Sequence, residues 1–166
     1  MKDDMKLLGE AFQSAPRRFA RVLPAGFLVG EQTCTVLRGT IRGWKLVRKL
    51  FRGGRVVCSA DGGIEGSPQS RRCEACKRDG CAPRIRLCIQ PVPNGSMNGA
   101  DVHLELNFSS CRNFLRYAHD LAMAHLEVDE VVSVLAVVDR AGWGEVIFEA
   151  DGQAECCRPA AWLSEA

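Results

Sequence analysis

The sequence predicts a mainly β domain of α+β class, with one helix before its last two strands. Three observations carry this. Residues 84–91 and 102–106 alternate polar and apolar side chains with a period of two, as half-buried strands do. The pair Gly53-Gly54 separates two runs rich in apolar and basic residues, which is a hairpin signal. One long stretch, after Ser109 and Ser110, repeats apolar residues at helical spacing.

In chain order, residues 1–26 read as an N-terminal arm. Met5, Leu8, Phe12 and Phe19 suit a short helix interrupted by Pro16, and Pro24-Ala25-Gly26 makes a turn. Thr33, Thr35 and Val36 favour a strand over residues 27–37. The segment TIRGWKLVRKLFRGGRVVC, residues 40–58, fits two conformations. As a basic amphipathic helix it would suit a membrane surface. Gly43 and Gly53-Gly54 favour a hairpin instead. In that strand Arg42, Trp44, Leu46 and Arg48 share a face. Ser109 or Ser110 is the expected helix N-cap, with Phe114, Leu115, Ala118, Leu121, Ala122 and His125 or Leu126 along the apolar stripe. Residues 131–138 are almost continuously apolar, a buried strand. Residues 143–149 close a last hairpin, and residues 151–166 read as an acidic tail. This order fits residues 27–150 as an OB-like, partly open β-barrel.

Five of the nine cysteines lie between residues 58 and 88. Cys73, Cys76 and Cys81 form a tight run, and a Cys-x2-Cys pair is how a short loop brings two thiolates to one ion. The segment has few apolar residues for a core, so a metal would supply the folding energy. Cys58 or Cys88 completes four ligands. Cys58 is the better candidate because it precedes the turn Asp61-Gly62-Gly63, whereas Cys88 sits inside an alternating strand. The expected insertion is therefore a loop over residues 58–82 holding a closed, structural Zn2+ through Cys58, Cys73, Cys76 and Cys81. Cys88 is the alternative ligand, and an iron–sulfur cluster is the other occupant such ligands serve. Cys156 and Cys157 are expected to be reduced thiols without metal.

Cys-Ser-x-Asp-Gly at residues 58–62, a Cys-x2-Cys pair and a single Cys before an Arg/Leu-rich strand resemble small zinc-containing proteins of phages and mobile elements. Some of those are single-stranded-DNA-binding proteins with an OB-like barrel. The resemblance covers about residues 43–87 and implies structural zinc and a single-stranded-DNA partner.

Charge segregation points the same way. Residues 38–86 carry 13 Lys/Arg and 4 Asp/Glu, a net +9, whereas residues 101–166 carry 4 and 12, a net −8. A segregated basic half is the footprint of a polyanion binder. The candidate contacts are Arg38, Arg42, Trp44, Lys45, Arg48, Lys49, Arg52, Arg84 and Arg86, with Phe51 among them. Bases stack on aromatic faces while cations track phosphates. RNA is the other nucleic acid this chemistry would hold. The competing reading is a zinc-stabilised adaptor whose acidic half docks another protein.

No Gly-rich phosphate loop and no Gly-x-Ser-x-Gly elbow occur, and His103, His119 and His125 lack metal-ligand spacing, so a non-enzyme is expected. No apolar run reaches membrane-span length and the first residues do not read as a secretory signal, so the expected location is cytoplasmic.

Overall fold

The computed structural model describes residues 18–61, 65–66, 71–73, 81–93 and 100–153. Among these the chain is mainly β with one α-helix. The strands are β1 (Arg18–Leu23), β2 (Gly26–Val29), β3 (Gln32–Cys34), β4 (Val36–Arg52), β5 (Arg55–Asp61), β6 (Glu65–Gly66), β7 (Arg71–Arg72), β8 (Cys81–Pro91), β9 (Val102–Leu106), β10 (Val131–Asp139) and β11 (Gly144–Gln153). Helix α1 (Phe108–Met123) and a 3-10 turn (Val128–Glu130) separate β9 from β10. The main sheet runs β11-β10-β4-β8-β9-β1-β2-β3, with β5 also on β4; β6 and β7 pair separately. This path is open, with β11 and β3 at its ends.

β4 is the spine. It is 17 residues long, and residues 39–50 pair with β8 along one edge. On the other edge residues 36–40 pair with β10 and residues 47–52 with β5. The hairpin to β5 forms as its glycines predict: Gly53 and Gly54 have φ of 55° and 74°. Two successive left-handed residues make a turn whose twist matches the strands, and glycine adopts them without a Cβ clash. A register shift between Ile41 and Gly43 leaves Arg42 without a partner on β8. Such bulges bend a strand.

The period-two pattern explains the core. Ile85, Leu87 and Ile89 of β8 are buried, as are Val102, Leu104 and Leu106 of β9. Leu87 lies between Trp44 and Leu104 in one row, and Ile85 between Leu46 and Leu106 in the next. Each buried aliphatic side chain contributes about 1.5–3 kcal/mol relative to exposure. Helix α1 covers this face with Phe114, Tyr117 and Leu121.

Several expectations are corrected. Residues 18–23 of the expected arm form β1, parallel to β9, and Phe19 stands in a strand opposite His103. The expected helix over the first residues lies outside the described residues. Residues 27–37 contain a hairpin of two short strands followed by the start of β4. Residues 151–153 of the expected tail complete β11, while Cys156 and Cys157 lie outside the described residues. The N-cap of α1 is Asn107, whose side chain accepts the Ser110 N–H at 3.0 Å. Ser110 is engaged elsewhere, since its hydroxyl accepts the Val146 N–H of β11 at 2.9 Å. The buried stripe of α1 runs through Cys111, Phe114, Tyr117 and Leu121, leaving Leu115 exposed. Tyr117 takes the inner position because its hydroxyl meets the buried Ser133 hydroxyl at 2.8 Å.

No helix among the described residues is long and apolar enough to cross a membrane.

Candidate nucleic-acid interface

Alternation along β4 and β8 decides which basic side chains meet. Lys45 is opposite Arg86 and Val47 opposite Arg84, so these residues and Lys49 share one face. Trp44, Leu46 and Arg48 are opposite Leu87, Ile85 and Pro83 and belong to the other face. Trp44 and Arg48, expected as contacts beside Arg84 and Arg86, therefore stand on the face away from them: Trp44 packs edge-on to Phe114 of α1, with ring centroids 5.8 Å apart.

The Arg84–Arg86 face forms the floor of a cleft of about 810 Å³. Lys49, Phe51 and Val56 of the β4–β5 hairpin make one wall. Phe19 and Arg21 of β1 and Trp143 of the β10–β11 turn make the other. Phe19, Phe51 and Trp143 are 54%, 42% and 46% exposed, so large ring surface faces solvent beside four cations. The guanidinium of Arg84 lies 5.1 Å from the Phe51 ring centroid, and that of Arg86 lies 5.8 Å from Phe19. These cation–π contacts layer cations and rings in alternation.

The walls are held from behind. Gly144 follows Trp143 directly and packs against the end of β1; a Cβ there would stand 2.4 Å from the Leu23 carbonyl oxygen. The Gly144 carbonyl accepts from the Asn107 side chain at 2.8 Å. Arg140 and Glu145 pair across the turn at 2.6 Å, and the Arg140 N–H bonds the Trp143 carbonyl at 2.8 Å. Hydrogen bonds from Arg140 and from Asn113 hold the Glu145 carboxyl below the usual carboxylate range.

At the centre of the floor is Glu105. Its Oε1 accepts from Arg86 Nε and Nη2 at 3.0 and 2.6 Å, and its Oε2 from Lys49 Nζ at 2.6 Å. Burial pushes this carboxyl up, but the hydrogen bonds and charges of Lys49 and Arg86 outweigh it and hold it below its ordinary range. Arg84 Nε is buried with no hydrogen-bond partner. An unpaired buried donor costs about 1–3 kcal/mol, which an arriving acceptor recovers.

Of the residues expected to contact nucleic acid, the cleft gathers Lys49, Arg84 and Arg86, with Lys45 on the same face. Arg38 is ion-paired to Asp151 at the far edge of the sheet, and Arg42 donates to Gln90 at 2.7 Å. Arg52 stands at the hairpin tip and Arg48 on the opposite face. Phe19, Arg21, Glu105 and Trp143 are the cleft residues that the sequence reading missed.

The cysteine strands converge in one row. Leu50 of β4 has Cys58 of β5 on one side and Cys81 of β8 on the other, so both thiols share its face. Two strand spacings separate their Cα atoms, about 9.5 Å. A tetrahedral zinc with Zn–S bonds of about 2.3 Å holds thiolates about 3.8 Å apart, so both side chains must lean over Leu50 to share one. Cys73 directly follows β7, and Cys76 lies outside the described residues. Cys88 is seven residues along β8 from Cys81 and on the opposite face, about 23 Å away at strand rise. No single ion reaches both, which removes Cys88 from any site that uses Cys81. Burial, and then the Asp101 carboxylate, push the Cys88 thiol up. No group of three or more potential metal ligands stands together among the described residues.

Comparison with protein-family models, with curated proteins and with solved structures gives no match.

Proposed function

We propose that this protein binds single-stranded nucleic acid, DNA in the first place, in the cleft floored by β8 and β9. The observation that carries the reading is that exposed Phe19, Phe51 and Trp143 line one groove together with Arg21, Lys49, Arg84 and Arg86. Cations neutralise phosphates, and ring faces stack unpaired bases without regard to sequence. A duplex hides its bases and gains only the first of these.

The strand order supports an OB-like reading. β4, β8 and β9 form an antiparallel meander, a helix follows, and β10 then returns to β4 and carries β11. In that fold the face of the second and third strands, with the loops after the first and fourth, takes oligonucleotides. In this reading β8 and β9 stand for those strands, and the β4–β5 hairpin and the Trp143 turn for those loops. We further propose that a structural zinc ties the cysteine strands together through Cys58, Cys73, Cys76 and Cys81. The shared row of Cys58 and Cys81 supports this, although 23 residues separate them in sequence.

The test is fluorescence anisotropy of a labelled 15-nucleotide single strand and of its duplex at several salt concentrations. The expected result is tighter binding of the single strand. Equal affinity for both forms would reduce the cleft to a basic surface. No binding even at low salt would overturn the reading in favour of a protein-docking adaptor.

A further inference from the structure

Glu105 is the sole carboxylate among the described residues that line the cleft, and it stands among the cations a phosphate would seek. The side chains of Lys49, Arg86 and Glu105 are 19%, 14% and 19% exposed, so these pairs are shielded from water and salt. Charges paired in such a setting are costly to separate, because removing one partner leaves the other buried and uncompensated. We propose that Glu105 is the selectivity residue of the cleft: by pairing with both Lys49 and Arg86 it lowers their net charge from +2 to +1, which makes binding depend more on bases and disfavours base-free polyanions. The inference rests on the nucleic-acid reading above.

The physical argument is an exchange balance. A phosphate reaching Arg86 competes with the Glu105 carboxylate already bound through Nε and Nη2, and where it displaces it, one anion replaces another. The gain in new hydrogen bonds is offset by the stranded carboxylate. Arg84 and Arg21 make no ion pair with any described residue, and they remain for the backbone. A base stacking on Phe19, Phe51 or Trp143 meets no such penalty. Glu105 also fixes Arg86 through two donors, which keeps its guanidinium beside Phe19 and preserves the layered wall.

The experiment compares dT12 with an abasic 12-mer of equal charge, for the wild type and Glu105→Gln, over a range of salt. The wild type is expected to prefer dT12 at least tenfold. In Glu105→Gln, affinity for the abasic strand rises several-fold, the preference narrows, and the salt slope steepens by about 0.7, the value for one net positive charge gained on a single strand. The double variant Glu105→Gln/Lys49→Gln keeps the net charge and leaves no orphaned lysine. It takes the Glu105 carboxylate away from Arg86, so abasic affinity again rises above wild type, by less. Circular dichroism and the thermal midpoint accompany each variant. If both folded variants bind the abasic strand no better than wild type, Glu105 only props its neighbours and the inference is overturned. If the wild type binds dT12 no better than the abasic strand, base stacking in the cleft fails together with the inference, and a basic surface is left. If it binds neither, the nucleic-acid reading itself fails and takes the inference with it.

Discussion

Two tryptophans, one on each face of the sheet, give the sharpest test of where a nucleic acid binds. Trp143 is 46% exposed in the cleft wall, and Trp44 is 53% exposed on the opposite face against Phe114. Each therefore buries about half its surface. For an aromatic side chain of about 250 Å² that is about 120 Å², or about 3 kcal/mol at about 25 cal/mol per Å². Truncating either to alanine should cost similar stability, about 2–3 kcal/mol by urea unfolding, since area bookkeeping overstates the loss. Binding separates them. Trp143→Ala loses one base–aromatic stack, about 1–3 kcal/mol or roughly 5- to 150-fold in affinity, with little change in salt slope. Trp44→Ala keeps its affinity within about twofold. The matched stability losses remove unfolding as an explanation of the contrast. The opposite outcome, with Trp44→Ala defective and Trp143→Ala unaffected, would move the interface to the helix-covered face and refute the cleft.

Other expectations follow from individual contacts. Tyr117→Phe strands the fully buried Ser133 hydroxyl and should cost about 1–3 kcal/mol in denaturant unfolding, whereas Tyr117→Phe/Ser133→Ala, which removes both polar groups, should recover part of that loss. The folded Glu105 carboxyl titrates below its unfolded value of about 4.3. Its contribution to stability is thus full above about pH 4.3 and disappears as pH falls through the lower folded value. The stability gap between wild type and Glu105→Gln should shrink as pH falls below about 4.3. Purified protein should carry about one zinc per chain by elemental analysis; Cys58→Ser and Cys81→Ser should each lose it, and Cys88→Ser should retain it.

Much of the sheet was legible because its signals are local. Period-two alternation marked β8 and β9, and Gly53-Gly54 marked the hairpin that ruled out an amphipathic helix. The cleft was half legible. The basic run announced a cationic surface, but which side chains share a face depends on register, and the bulge at Arg42 and the pairing of Lys45 with Arg86 are properties of two strands together. Phe19 was hidden for the same reason: its parallel pairing with β9 spans 84 residues, and no pattern near residue 19 records it. Trp143 read as a strand residue, and only the packing of Gly144 on Leu23 turns it toward the groove. Glu105 fell in the acidic half by composition. It stands among the cations because β9 lies beside β8.

The single long β4 ties the two regions of the protein into one mechanical part. Beyond residue 47 β4 lies between β5 and β8 as far as Leu50, so the three strands form one beam from which only the hairpin tip projects. That beam carries Lys49, Phe51 and Val56 on the wall of the cleft and Cys58 and Leu50 in the cysteine row. A metal held at the thiols would therefore stiffen the same strands that carry Phe51. It would bear on the aromatic wall from a row of cysteines that no ligand in the groove needs to touch.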